Sequence, residues 1–218
     1  MSAPPPAALG PAELAKISSE TLAHYEARAK DFWEGTRGHD VRQNIDALLS
    51  RIEAGPPFSI LDFGCGPGRD LKTFRDLGHK AIGLEGAASF AALAREYSGC
   101  EVWEQDFLHL QLPPLRFDGI FANASLFHVP TQELPRVLGQ LHSALKDNGV
   151  LFASNPHGQN DEGWSRGRYG AYHDPGAWHA LVAGAAFIEL DHYYRPPGKP
   201  RSEQPWLATV WRKSPQRG

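Results

Sequence analysis

Between Phe58 and Asp70 the chain reads FSILDFGCGPGRD: an apolar run, then glycines at 64, 66 and 68, then a polar helix start. No other segment limits the fold as much. The apolar run predicts a strand buried on both faces. Glycine at these positions permits positive φ and lets a ligand approach bare backbone. The helix that follows offers free N–H groups at its first turn. A dinucleotide fingerprint needs G-x-G-x-x-G. Here the third glycine comes one residue early and Arg69 stands where that motif requires glycine. No Gly-Lys-Ser/Thr follows, so the turn is not a phosphate loop either.

The rest of the chain extends this unit into an alternation. Leu71, Phe74 and Leu77 mark a short helix, KAIGLEG (80–86) a second strand, and Phe90, Leu93, Ala94 and Tyr97 a helix. CEVWEQDF (100–107) and FDGIFANAS (117–125) predict the third and fourth strands. Leu134, Val137, Leu138, Leu141 and Leu145 form a helical stripe closed by Asn148-Gly149, before a fifth strand at 150–155. Strands and helices in this order imply a doubly wound, mostly parallel sheet with helices on both faces. After a helix over 175–185, the strands 187–195 and 205–213 are joined by only a glycine- and proline-rich loop. A parallel pair needs a crossover of about a dozen residues, so these two predict an antiparallel hairpin at the sheet edge.

Ahead of the sheet, residues 1–10 read as a disordered lead-in, with no basic and apolar signal segment. Residues 11–57 read as N-terminal helices forming a lid, with the Phe32-Trp33 region closing the crevice. Leu14, Ile17, Leu22, Tyr25, Ala29 and Phe32 form one stripe, interrupted at Gly35 and Gly38, and Val41, Ile45, Leu48, Leu49 and Ile52 a second, stopped by Gly55-Pro56-Pro57. Residues 58–218 hold the sheet, and the whole reads as one domain. Of 218 residues, 41% are hydrophobic and 22% charged, enough for a core. A net charge of −3 gives no general basic field, so a grip on nucleic acid is not expected. No apolar run reaches the roughly 18–20 residues that span a bilayer. Two cysteines make no disulfide framework, and neither a Cys-x-x-Cys nor a helical His pair suggests a metal site.

Glu85 ends the second strand, where a carboxylate faces the ligand crevice of a doubly wound sheet and can accept both hydroxyls of a ribose. The alternative is a solvated loop acid. Asp106-Phe107 holds the same place after the third strand. A carboxylate there can accept from an adenine amine, and an aromatic ring can cover the base; otherwise Asp106 merely starts a loop.

With these residues in place the sequence resembles the class I S-adenosylmethionine-dependent methyltransferases, in particular their small-molecule branch. The likeness lies in LDFGCGPG (61–68), GLEG (83–86), QDF (105–107), FDGIFANASLFHVP (117–130) and LHSALKDNGVLFAS (141–154), and spans roughly residues 40–213. It implies a seven-stranded Rossmann-like sheet with a reversed C-terminal strand. It implies S-adenosylmethionine as cofactor and S-adenosylhomocysteine as product. Asp62, Gly64, Cys65, Gly66 and Gly68 would line the methionine end of the cofactor. Glu85 and Gly86 would take the ribose, Asp106 and Phe107 the adenine, and Asn123 and Ala124 the amino-acid portion. Arg69 would either reach the cofactor carboxylate or pair with Asp70. The fourth strand ends in NASLFH, not the Asn/Asp-Pro-Pro-aromatic motif of amino-methylating nucleic-acid enzymes.

The expected reaction is therefore direct displacement of a methyl group onto O, N or S of a small molecule in the cytoplasm, by a monomer or homodimer. A protein or RNA acceptor, or cofactor binding without catalysis, are the alternatives. His128, at the carboxyl rim of the sheet, is the candidate general base or else a pocket wall. Tyr25 and Trp33 are candidate lid contacts or core packing. The stretch GWSRGRYGAYHD (163–174) supplies Tyr169, Tyr172 and His173 as candidate acceptor contacts, and Arg195 could converge with them. Arg166 and Arg168 could pair with a substrate anion or stand as solvated loop charges.

Overall fold

The computed structural model describes residues 8–214; the expectation for the earliest residues and for 215–218 lies outside the described residues. Its main sheet has seven strands: β1 (Ser59–Phe63), β2 (Lys80–Glu85), β3 (Glu101–Glu104), β4 (Phe117–Asn123), β5 (Leu145–Pro156), β8 (Phe187–Arg195) and β9 (Trp206–Lys213). A separate two-stranded ribbon pairs β6 (Asp161–Ser165) with β7 (Arg168–Tyr172). The order across the main sheet is β3-β2-β1-β4-β5-β9-β8. Neighbours from β3 to β5 are parallel, while β9 runs antiparallel to both β5 and β8. The reversed strand is thus the expected one. The chain order turns over between β1 and β4, and a doubly wound sheet opens a crevice at the carboxyl ends of the strands at that point.

The central strands are apolar on both sides because both sides are covered. On one face Leu61, Phe63, Leu84, Ile120 and Leu151 pack against α6 (Leu134–Ala144) and α7 (Pro175–Gly184). On the other, Ile60, Phe121, Phe152 and Val210 meet Ile45 and Leu48 of α3 (Arg42–Leu49) and Phe74 of α4 (Arg69–Asp76). Ala91 and Ala94 of α5 (Ala88–Ser98) close the remaining corner with Leu71 and Val102. Burying a side chain such as Leu48 fully contributes about 1.5–3 kcal/mol.

Three local readings change. The stripe expected as one helix from Pro11 is two, α1 (Pro11–Glu26) and α2 (Ala29–Thr36). Helix α1 buries Ile17 and Thr21, whereas α2 buries no residue fully, so the break at Ala27-Arg28 lets the second segment turn outward. Leu145 belongs to β5, paired with Phe117, and not to the helical stripe before it. The stretch taken as a loop after the fifth strand is the β6–β7 ribbon. Its two-residue turn, Arg166-Gly167, has φ of 52° and 83°, the double positive φ that suits a tight hairpin. At the other end, Leu9 lies in the expected lead-in, yet its amide donates to Gln132 Oε1 (2.7 Å) and its carbonyl accepts from Gln132 Nε2 (3.0 Å).

Candidate active site

Where β1 ends, the chain passes through Gly64, Gly66 and Gly68 with φ of 77°, 52° and 91°. Two of these glycines are required by space as well as by φ. A Cβ on Gly64 would lie 2.5 Å from the Ser125 side chain, and one on Gly68 would lie 2.8 Å from the Ala94 backbone. Gly64 and Cys65 donate their N–H groups to the Leu84 carbonyl, tying the turn to β2.

Glu85 closes the turn from the other side. Its Oε2 accepts from Gly66 N (2.9 Å) and its Oε1 from Ala87 N (2.9 Å). Burial raises its pKa, and backbone N–H groups from Ala87, Gly66 and Gly86 pull the other way. Each carboxylate oxygen keeps a lone pair for a further donor. The carboxylate is therefore locked in place while still able to accept.

These residues open onto a cleft of about 700 Å³, including its mouth, beneath α1. Its lining brings together Gly64, Gly66, Glu85, Gly86, Asp106, Phe107 and Ala124 at one end with Tyr25 and His128 at the other. The third strand is shorter than expected, so Asp106 and Phe107 lie in the loop after it. Asp106 already accepts from Leu108 N (2.9 Å) and faces His109 Nδ1 at 2.8 Å. Phe107 stacks on Phe63, with centroids 4.3 Å apart. The roof is apolar: Ile17, Leu22 and Phe32, with Phe90 from α5. Ile17, Leu22 and Phe90 were legible in the sequence only as members of helical stripes, whereas Phe32 belongs to the region expected to lid the crevice. The signal was the spacing of Ile17, Thr21 and Tyr25, which puts them on one face of α1.

Other candidates stand behind the cleft wall. Asp62 is 2% exposed, and burial followed by the charge of Asp70 raises its pKa well above the usual carboxylate range. Asp62 Oδ2 has no hydrogen-bond partner among the described residues, and neither has the buried Ser125 Oγ beside Gly64. Cys65 packs its thiol towards Gly83, and burial pushes its pKa up. Arg69 is paired with Asp70 (2.6 and 2.9 Å) and donates to the Thr36 carbonyl (2.8 Å), so of its two expected placements it takes the second. Asn123 bridges Asp70 Oδ2 (3.1 Å) and Asn44 Nδ2 (3.0 Å) through its side chain.

At the far end of the cleft the arrangement is decided by hydrogen bonds. His128 Nδ1 lies 2.7 Å from the Tyr169 carbonyl, and its Nε2 lies 2.7 Å from the Tyr25 hydroxyl. A carbonyl only accepts, so Nδ1 carries the proton and Nε2 accepts from the phenol. Burial holds the imidazole at about 4 and raises the Tyr25 phenol to about 12, so both are neutral at physiological pH. Tyr169 contributes backbone here. Its N–H also donates to Thr21 Oγ1 (3.1 Å), while strand alternation sends its ring towards Trp164.

The remaining acceptor candidates do not reach the cleft lining. Trp33 packs on Tyr97 at 4.6 Å, because its neighbour Phe32 takes the inward position on α2 and meets Phe90. Tyr172 is half-buried, 6.1 Å from Phe127. His173 faces Thr131 Oγ1 at 3.1 Å over a separate small cavity. Arg195 is held on the other side of the sheet edge by Asn44 Oδ1 (2.6 Å) and the Asp40 carbonyl (2.8 Å). Among the described residues no three His, Cys, Asp or Glu side chains form a metal-binding group, and no helix is long and apolar enough to cross a membrane.

A family model described as a methyltransferase domain matches residues 60–149. A trans-aconitate 2-methyltransferase of Azoarcus sp. is 29% identical over 143 residues, covering 65% of this chain and 54% of that protein. A malonyl-[acyl-carrier protein] O-methyltransferase of Enterobacter lignolyticus is 30% identical over 111 residues, covering 50% and 43%. The chain thus spans about half the length of these two relatives. Among solved structures, a Burkholderia thailandensis 1,6-didemethyltoxoflavin-N1-methyltransferase with bound S-adenosylhomocysteine superposes with a TM-score of 0.75. It is 21% identical over 99% of this chain and 94% of that one.

Proposed function

We propose that this chain, which belongs to the class I S-adenosylmethionine-dependent methyltransferases, transfers a methyl group to a nucleophilic O, N or S atom of a small molecule. The observation that carries this reading is a glycine turn clamped by Glu85, opening into a roofed cleft whose far end holds Tyr25 and His128.

The donor site fits a sulfonium nucleoside. Gly64 and Gly66 bring bare backbone at positive φ to the cleft lining, and the buried Ser125 Oγ beside them lacks a partner among the described residues. Glu85 would hold the ribose hydroxyls, and Asp106 would accept from the adenine amine. When bound, S-adenosylmethionine supplies an activated methyl group on a leaving group that departs neutral.

The chain's own contribution is chiefly alignment and exclusion of water. Helix α1 roofs the cleft, and the Thr21–Tyr169 and Tyr25–His128 bonds fasten that roof to the rim. The cleft is roofed by α1 and lined by apolar side chains around a few polar groups, the make-up usual for small-molecule sites. That enclosure supports a small acceptor over a protein or RNA. The trans-aconitate and 1,6-didemethyltoxoflavin enzymes named above support the same reading, whereas the malonyl-[acyl-carrier protein] enzyme takes an acceptor carried on a protein.

Calorimetry with S-adenosylhomocysteine tests the donor site, and methyl label from S-adenosylmethionine tests transfer. Label should enter small metabolites. Label found only in macromolecules would exclude the small-acceptor reading, and absence of cofactor binding would exclude the enzyme assignment itself.

A further inference from the structure

We propose that the methyl acceptor is a neutral molecule whose reacting atom carries a hydrogen, as in a phenol or a ring N–H, and that Tyr25 accepts that hydrogen bond and relays the proton to His128. This rests on the methyltransferase reading above and names the acceptor class for the same site.

A chain of hydrogen bonds with a single direction runs from the β6–β7 ribbon to the cleft. The Tyr169 carbonyl only accepts, so His128 Nδ1, 2.7 Å away, carries a proton. Nε2 then only accepts, and the Tyr25 hydroxyl, also at 2.7 Å, commits its one proton there. The phenol oxygen is left with lone pairs alone. Tyr25 and His128 both line the cleft, so its far end offers a hydrogen-bond acceptor to whatever binds there. Arg168, Tyr172, His24 and Glu85 act on this pair through charge, and none of them hydrogen-bonds to either ring.

The rest of the lining selects in the same direction. Among the described residues its charged side chains are the acids Glu85 and Asp106, and no lysine or arginine reaches it. A carboxylate acceptor would set lone pairs against the lone pairs of Tyr25 and find no cation to offset its charge. A neutral O–H or N–H donates to Tyr25 Oη instead. Phe32 and Phe90 close on Tyr25 with ring centroids 5.8 and 5.7 Å away, an apolar wall suited to a flat ring.

The same chain gives the proton a route. The acceptor atom forms its bond to the methyl carbon while the C–S bond breaks, and that electron pair stays on sulfur. The acceptor's proton passes to Tyr25 Oη as the Tyr25 proton passes to His128 Nε2. The products are a methyl ether or N-methyl ring and a neutral thioether. One positive charge leaves the sulfonium and one appears on the imidazolium, so the net charge of the closed cleft stays constant. The imidazolium still donates through Nδ1 to Tyr169, and it releases its proton to solvent when the product leaves.

The test uses the full chain with methyl-labelled S-adenosylmethionine. Phenol, uracil, benzoate, a thiol and an alkylamine serve as defined acceptors, beside a small-molecule cell extract. Label is expected in alkali-stable methyl ethers or N-methyl rings. Turnover of the best acceptor should be level from about pH 6 to 8, because it is used un-ionised and His128 is already neutral. Tyr25→Phe should lower kcat by about 10²–10⁴-fold and make the residual rate climb with pH towards the acceptor's own pKa, since solution must then remove the proton. His128→Gln can accept the Tyr25 hydrogen bond but not its proton, and should show the same climb. Without turnover, calorimetry on the S-adenosylhomocysteine complex should show the best acceptor bound about 3- to 10-fold more weakly by Tyr25→Phe, with nucleoside affinity near normal. Label confined to methyl esters, thioethers or alkylamines, no label at all from a protein that binds S-adenosylhomocysteine, or a level pH profile in both variants would overturn the proposal. Failure to bind S-adenosylhomocysteine would instead remove the methyltransferase reading beneath it.

Discussion

The two ends of the cleft are made of different material. At the glycine-turn end the wall is backbone: three glycines at positive φ, the N–H groups of Gly64 and Cys65 donating to the Leu84 carbonyl, and the Glu85 carboxylate locked by the N–H groups of Gly66 and Ala87. At the far end the polar groups are side chains from distant elements: Tyr25 on α1 and His128 after β4. A backbone wall tolerates almost no change in shape, because a single Cβ collides with its neighbours. A side-chain wall can be rebuilt residue by residue without disturbing the fold.

Four substitutions or conditions can break or sharpen that contrast. The largest effect belongs to Gly64→Val. It meets Ser125 at a φ of 77°, and the strain of a branched residue there is of order 1–3 kcal/mol before any clash. Calorimetry should show affinity for S-adenosylhomocysteine reduced by more than about 100-fold. Affinity within threefold of the parent protein would refute the backbone account of the donor end.

Glu85→Gln comes next. The amide keeps the shape but can accept on only one atom, so a backbone donor and a ribose hydroxyl are left unpaired. Cofactor affinity should fall by about 10- to 100-fold while KM for the acceptor stays level. A change confined to the acceptor KM would show that the two ends are not separable in this way.

Tyr25→Phe should act oppositely. It removes the donor to His128 Nε2 and leaves a buried nitrogen unpaired, which costs about 1–3 kcal/mol. A lower melting temperature with near-normal affinity for the nucleoside is expected in thermal scans. A loss of cofactor binding as large as that of Glu85→Gln would move Tyr25 to the donor end.

The smallest effect is in pH. His128 titrates at about 4 in the fold against 6.5 when unperturbed. Between those values the unfolded chain binds the extra proton, so stability rises with pH across that window and is lost as pH falls through it. Denaturant melts at pH 7 and pH 5 should show this slope, reduced in His128→Gln. Turnover should show no limb near 6.5, since His128 stays neutral above its shifted value.

Much of the donor end was legible because its determinants are local. A glycine that needs positive φ, a strand followed by a helix, and an acid at a strand end are each written within a few consecutive residues. The same logic failed at Ala27-Arg28, where apolar spacing continued through a helix break; α1 packs against β7 and α5, whereas α2 buries no residue fully. It also missed the β6–β7 ribbon, although its Arg166-Gly167 turn carried a readable hairpin signal. Trp33 and Phe32 differ by one position, and nothing in the sequence states which of them faces inward.

The order of apolar runs, helix stripes and glycines was enough to determine a doubly wound sheet and the edge where a ligand settles, because backbone sterics and hydrophobic periodicity act over short spans of chain. Only folding decided that a tyrosine and a histidine separated by 103 positions would share a hydrogen bond, and that Arg69 would pair with Asp70 and not face the cleft. Those outcomes depend on which side chains arrive together when the helices close over the sheet, and no local rule specifies that arrival.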